Sequence, residues 1–119
     1  FLADQGVDLV IGHHPHVLQP MEWVEGQNGK KTFVVYSLGN FLSGQVGEYK
    51  EIGGIFSIKI TKELSKGTKK IEVTEPGFVP TIVVNQNNRA YRVKELKNVD
   101  QAQNNAIQEH MFQNLNKEN

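Results

Sequence analysis

Short apolar runs and alternating segments, each ended by glycine, proline or asparagine, predict a chain built mainly from β-strands. Leu9–Ile11 is an apolar run that stops at Gly12, which indicates a short buried strand. The segment 32–38 is apolar nearly throughout and predicts a strand covered on both faces. The Asn-Gly pair at 28–29 predicts a hairpin turn before it, and the glycine-rich stretch 43–54 is expected to be a loop.

The second half of the chain predicts two hairpins followed by a helix. Residues 54–61 alternate between apolar and polar, as in a half-exposed strand, and 69–74 is the expected partner strand. The tripeptide 75–77, Glu-Pro-Gly, is expected to break the pattern, so that 78–93 forms a separate hairpin. Asp100 is a candidate helix N-cap, with a glutamine three residues later and an apolar stripe beyond it. Together these patterns predict an α/β (mixed α+β) fold with mostly antiparallel strands and a C-terminal helix.

The composition excludes several classes of protein. A chain of 119 residues suits one domain, here 1–119, and its 13 basic and 13 acidic residues give no net charge, which argues against nucleic-acid binding. The absence of cysteine excludes disulfides and thiolate metal ligands, and no apolar run is long enough to span a membrane. The lysines between 62 and 70 predict a solvated hairpin tip rather than a nucleic-acid patch, because no aromatic residues are interleaved with them.

Three of the four histidines, His13, His14 and His16, directly follow the first predicted strand. Gly12 is expected to let the backbone turn sharply there. Pro15 fixes its own φ and favours extended geometry at the residue before it. In an extended segment, His14 and His16 project to one side and His13 to the other. Because neutral imidazoles bind divalent transition metals well, the sequence predicts a metal-binding or catalytic histidine loop.

A second strand end carries small polar residues. The segment 37–40, Ser-Leu-Gly-Asn, ends the apolar strand 32–38. The Asn40 amide either lines a site or serves a left-handed turn position, and both interpretations remain open. The fourth histidine, His110, lies at the border of the predicted helix stripe and is expected to be a packing or surface residue.

These two strand-end segments resemble a known family. Residues 6–19, with Gly-His-His-Pro-His, and 35–41, with Ser-Leu-Gly-Asn, closely resemble the CapA family of bacterial poly-γ-glutamate capsule synthesis. Members of that family carry a calcineurin-like metallophosphoesterase domain. The resemblance is specific over the first 60 or so residues. It implies the C-terminal portion of a four-layer metallophosphoesterase-like sandwich that holds two metal ions at strand ends.

The resemblance also implies roles for individual residues. A late Gly-His-x-His motif supplies metal ligands in metallophosphoesterases, which implies that His14 and His16 are metal ligands. His13 stands where the glycine of that motif normally lies and is assigned a catalytic role. Asn40 and Ser37 are the implied substrate-contacting or site-lining residues. The implied cofactors are divalent metal ions, with Mn, Fe or Zn as candidates and two ions in the complete protein.

The motifs that the family places upstream, which hold carboxylate and asparagine ligands, do not occur in this sequence. Since a dinuclear site needs roughly four or more protein ligands, we expect the chain to be the C-terminal part of a CapA-like protein and inactive alone. The resemblance implies work in capsule synthesis or export, with other capsule-synthesis membrane proteins and poly-γ-glutamate or a phosphoester as partners. It also implies an extracytoplasmic location, anchored through an upstream segment. A metal-dependent phosphoester hydrolase and a non-catalytic extracytoplasmic binding module remain open as alternatives.

Overall fold

The computed structural model describes residues 1–45, 51–86 and 90–115 and arranges them as two three-stranded sheets and a helix. The first sheet has the order β1-β3-β2, with β1 parallel and β2 antiparallel to the central strand. Its strands are β1 (Leu9–Ile11), β2 (Leu18–Glu25) and β3 (Lys31–Leu38). The second sheet is antiparallel and contains β4 (Ile52–Ser65), β5 (Thr68–Gln86) and β6 (Ala90–Glu95). The helix α1 spans Gln101–Phe112, and short 3-10 turns cover Ala3–Gln5 and Leu96–Asn98.

The hydrophobic core joins the two sheets and α1. Phe33 links them through its ring, which lies edge-on to Trp23 at 4.9 Å and stacks on Phe56 at 5.9 Å between centroids. The buried core side chains are Leu18, Met21, Phe33, Val35, Ile52, Phe78, Leu96, Ile107 and Met111. The predicted mixed fold, with antiparallel strands and a C-terminal helix, is therefore confirmed. The four-layer sandwich remains a prediction.

The first sheet is more exposed than its apolar sequence predicted. In β3, Phe33 and Val35 are fully buried, whereas Tyr36 on the opposite face is 43% exposed. Ile11, at the end of β1, is 52% exposed. The predictions that β1 is buried and that β3 is covered on both faces were wrong for the described residues. Apolar content reports a tendency to be covered, but it does not specify which face receives a neighbour.

The strand β5 is continuous where a break was predicted. Glu75 and Pro76 form an irregularity in the β4–β5 ladder, whose register shifts between Ser57 and Lys59. Glu75 has a φ of 56°, so the strand accommodates Pro76 in a bulge and then continues. The β4–β5 turn consists of Lys66 and Gly67, both with positive φ. Two positive φ values characterise the type I′ turn, which suits the twist of a two-residue hairpin.

The predicted glycine-rich loop is also shorter than expected, because β4 begins at Ile52. Gly54 lies within that strand beneath Phe78: a Cβ on this glycine would lie 2.0 Å from the ring. Residues 46–50 of the predicted loop, and residues 87–89 between β5 and β6, lie outside the described residues. The predicted pairing of the last two strands is confirmed by the antiparallel β5–β6 register.

The C-terminal helix begins as the sequence predicted. The Asp100 carboxylate accepts a hydrogen bond from the Gln103 backbone N–H at 3.0 Å, which confirms the N-cap. His110 lies on the helix with its Nε2 3.3 Å from the Leu18 carbonyl oxygen, so its ring takes part in packing α1 against β2. In the part of the chain that the structure describes, no helix combines the length and apolarity needed to cross a membrane.

Candidate functional site

The parallel pairing of β1 with β3 brings the two polar strand ends together. Ile11 lies beside Val35, so the histidine segment and the segment that contains Asn40 leave the same edge of the sheet. Gly12 extends this pairing, since its N–H donates to the Val35 carbonyl at 2.7 Å. A Cβ on Gly12 would lie 2.2 Å from the Tyr36 carbonyl oxygen. Only glycine fits this close approach of the two backbones. The prediction that Gly12 allows a sharp turn was therefore wrong, since Gly12 continues the strand pairing.

The histidine segment forms a turn instead of the extended conformation that was predicted. The His16 N–H donates to the His13 carbonyl oxygen at 3.1 Å, and His16 has a φ of 60°. Pro15 restricts the backbone dihedral angles of itself and of the residue before it. It therefore does not prevent the chain from reversing at His16. His16 is thus held in the left-handed region, which is unusual for a residue with a side chain.

The turn pairs His13 with His16, whereas His14 and His16 were expected to share a side. The His13 and His16 ring centroids are 5.5 Å apart, and the rings meet at 64°. All three histidines are exposed to solvent. Among residues 1–45, 51–86 and 90–115, none makes a hydrogen bond or ring contact with His14. The metal roles of His14 and His16 and the catalytic role of His13 remain predictions.

Asn40 orients the His16 ring. Its Oδ1 lies 3.0 Å from His16 Nδ1. Because an amide oxygen only accepts hydrogen bonds, Nδ1 must carry the ring proton, and Nε2 keeps its lone pair. The Asn40 Nδ2 donates to Gln45 Oε1 at 2.8 Å, which directs Oδ1 of the 6% exposed amide toward the histidine. Nothing in the sequence pattern singled out Gln45, since it lies in a segment without periodicity.

The backbone around Asn40 is held tightly between the two sheets. Gly39 has a φ of 67° and forms a β-bridge with Gly53 at the start of β4. A Cβ on Gly53 would lie 2.3 Å from the Asn40 carbonyl oxygen, so β4 approaches as closely as a glycine allows. Ser37 is fully buried beneath this segment, and its Oγ accepts a hydrogen bond from the Gly39 N–H at 3.3 Å. In this chain Ser37 therefore supports the turn that positions Asn40.

The exposed imidazoles suit a transition-metal ion or a proton-transfer role. The His13 and His16 rings lie side by side at the exposed strand ends, with their centroids 5.5 Å apart. A hydrogen-bonded second nitrogen is the usual arrangement of a metal-ligating histidine, and His16 has it. The described residues contain no group of three or more histidine, aspartate or glutamate side chains placed to hold a metal. The metal site that the resemblance implies therefore stays a prediction.

Comparison with known proteins shows that part of the chain is similar to bacterial capsule synthesis proteins. Residues 1–45, which include the histidine turn and Asn40, match the family model described as bacterial capsule synthesis protein PGA_cap. The match supports the resemblance to the CapA family that the two strand-end motifs carry.

Two relatives carry the same family name. The chain is 37% identical over 73 residues to the PGA biosynthesis protein CapA of Bacillus subtilis (strain 168), a match that covers 61% of this chain and 17% of that protein. It is 43% identical over 44 residues to the capsule biosynthesis protein CapA of Bacillus anthracis, which covers 37% of this chain and 10% of the relative. No solved structure matches the chain.

Proposed function

We propose that this chain contributes a metal-binding histidine site to a protein of bacterial capsule biosynthesis, which acts in the assembly or export of poly-γ-glutamate. The observation that carries the proposal is the hydrogen bond between His16 Nδ1 and Asn40 Oδ1. It leaves the lone pair of Nε2 on this exposed residue available to bind a metal ion. The family match over residues 1–45 and the names of the two relatives support the capsule role.

Each residue of the site has a distinct task in this proposal. His16 binds a divalent ion through Nε2, and His14 is the second ligand that the family motif implies. His13, whose ring lies beside that of His16, holds or moves a proton on the bound substrate. Asn40 fixes the His16 ring, and Ser37 supports the Asn40 turn from below.

The ion, with Mn, Fe or Zn as candidates, supplies Lewis acidity toward a phosphoryl or carboxyl oxygen when it is bound. The described residues contain no group of three or more histidine, aspartate or glutamate side chains that could hold an ion. We therefore propose that the complete protein holds two ions with further ligands from elsewhere in its sequence. We also propose an extracytoplasmic, membrane-anchored location and interaction with other capsule-synthesis membrane proteins.

A metal-dependent phosphoester hydrolase is the second candidate function. The observation that favours it is the exposure of the His13–His16 pair, which leaves both rings accessible to a phosphate group. Phosphatase assays of the full-length protein separate the two candidates. Hydrolysis of a model phosphoester that is lost in the His13→Gln variant supports the hydrolase, and polymer loss in a strain that carries this variant without any hydrolysis supports the assembly role.

Metal analysis of full-length variants tests the site itself. We expect His16→Ala and His14→Ala to lose bound metal, and Asn40→Ala to weaken metal affinity by roughly 10–100-fold, the usual effect of removing a partner that orients a ligand. His110→Ala is the matched control, because it removes a histidine that packs against β2 on the helix. Unchanged metal content in both His14→Ala and His16→Ala would remove the ligand assignment.

A further inference from the structure

The strands β4 and β5 extend as a two-stranded ribbon beyond the rest of the molecule. Among the described residues, β6 pairs only with Thr81–Gln86 of β5, and β4 alone accompanies the segment 68–79. The portion past the bulge, from Lys59 to the turn, is about 23 Å long at roughly 3.3 Å per residue. The molecule measures 60 × 29 × 25 Å, which reflects this extension.

The two faces of the ribbon differ in chemistry. Directly paired residues of antiparallel strands share a face, so the register assigns each pair to one side. One face, called here the lysine–aliphatic face, carries the pairs Ile60–Val73, Lys62–Ile71 and Leu64–Lys69. The opposite face carries the pairs Lys59–Thr74, Thr61–Glu72, Glu63–Lys70 and Ser65–Thr68. Within these seven pairs, carboxylates therefore occur on the opposite face alone.

The charges on the opposite face are balanced locally. Lys70 forms an ion pair with Glu72 at 3.1 Å, and Glu63 lies across from Lys70. On the lysine–aliphatic face, Lys62 and Lys69 have no carboxylate beside them in the register. Lys66 adds a third positive charge at the turn. This face therefore presents cations without compensating anions.

Two of the aliphatic side chains on this face are strongly exposed, whereas Ile71 and Val73 are half-buried and Val73 packs against the core. Leu64 is 74% exposed and Ile60 is 57% exposed, although both are large apolar residues. Cationic and aliphatic side chains on one exposed face match the interface of an anionic bilayer, where lysines meet headgroups and aliphatic groups enter the apolar boundary. A soluble polyanion would use the lysines and leave Ile60 and Leu64 in water.

We infer that the lysine–aliphatic face of the ribbon docks on an anionic lipid surface. The inference is independent of the histidine site, which lies at the strand ends of the other sheet. The lysines supply the attraction to anionic headgroups, and Leu64, next to the turn, enters the interface first. The ribbon keeps the rest of the domain away from the bilayer.

Vesicle binding of two matched double variants tests the electrostatic part. Lys62→Gln/Lys69→Gln and Lys59→Gln/Lys70→Gln remove the same net charge from opposite faces of the same ribbon. The assay measures sedimentation with phosphatidylcholine vesicles, with and without phosphatidylglycerol. We expect binding only with phosphatidylglycerol, and roughly a thirtyfold loss for the first variant, since each lysine at an anionic surface contributes about a factor of five. The second variant should lose much less, and equal losses from both faces would overturn the inference.

Site-specific fluorescence tests the insertion part. The chain has no cysteine, so Leu64→Cys and Ser65→Cys each create a single labelling position on opposite faces. A polarity-sensitive fluorophore at position 64 should shift to the blue with anionic vesicles, and one at position 65 should not. A shift at both positions, or at neither, would overturn the inference. Binding to soluble polyglutamate without binding to anionic vesicles would also overturn it, and so would a vesicle-independent dimer that buries the label at position 64.

Discussion

The left-handed conformation of His16 predicts an inverted order of stability for two simple substitutions. At most positions alanine is more favourable than glycine, because glycine loses about 0.5–1 kcal/mol more backbone entropy on folding. His16 has a φ of 60°, where a residue with a Cβ costs roughly 1–2 kcal/mol more than glycine. Both substitutions remove the ring and its hydrogen bond to Asn40, so their difference isolates the backbone term. Because the steric cost of a Cβ at this φ exceeds the entropy cost of glycine, we expect His16→Gly to be more stable than His16→Ala by roughly 0.5–1 kcal/mol.

Equilibrium urea unfolding measures this difference. With an m-value of about 1.5 kcal/mol/M for a domain of this size, the midpoints of the two variants should differ by roughly 0.3–0.7 M. The neighbouring His14 is the matched control, because it is an exposed histidine without a positive φ. There the order should reverse, with His14→Ala at least as stable as His14→Gly. A His16→Ala variant as stable as His16→Gly would refute the reasoning that strain is stored at this residue.

Three further predictions concern the surroundings of the site. Gly12→Ala should destabilise the fold by about 2 kcal/mol or more, because its Cβ would meet the Tyr36 carbonyl oxygen at 2.2 Å; urea unfolding measures the loss. The hydrogen bond to the Glu22 carboxylate, with burial and the nearby negative charge, raises the pKa of Tyr36, so Glu22→Gln should lower that pKa toward its usual value in a ¹³C NMR titration. Asp100→Ala should cost about 1 kcal/mol by removing the helix cap, and Asp100→Asn should retain most of that stability.

Local signals in the sequence predicted most of the secondary-structure elements and identified the two segments that form the candidate site. The apolar run before Gly12 indicated β1, the Asn-Gly pair indicated the β2–β3 hairpin, and Asp100 indicated the start of α1. The parallel pairing that joins the two strand ends is a property of the sheet that the sequence pattern did not predict; the sequence only led us to expect a site where core strands end.

The details that decide the site's geometry depend on contacts distant in the chain. The His16 conformation is fixed by a turn hydrogen bond and by an amide 24 residues away, and no local propensity reports either. The continuity of β5 through Pro76 depends on the bulge opposite β4, which a single-strand pattern does not reveal. Hydrophobicity alone did not distinguish the covered face of β3 from the face that carries Tyr36.

Long-range ¹H–¹⁵N NMR of the imidazole nitrogens most directly tests the claim that Asn40 orients His16 for binding. Measured at a pH at which the imidazoles are neutral, the spectrum should show His16 as the tautomer protonated at Nδ1, and Asn40→Ala should abolish this preference. A proton on Nε2 in the unaltered chain would contradict the account, because the atom proposed to bind a metal would then be a hydrogen-bond donor.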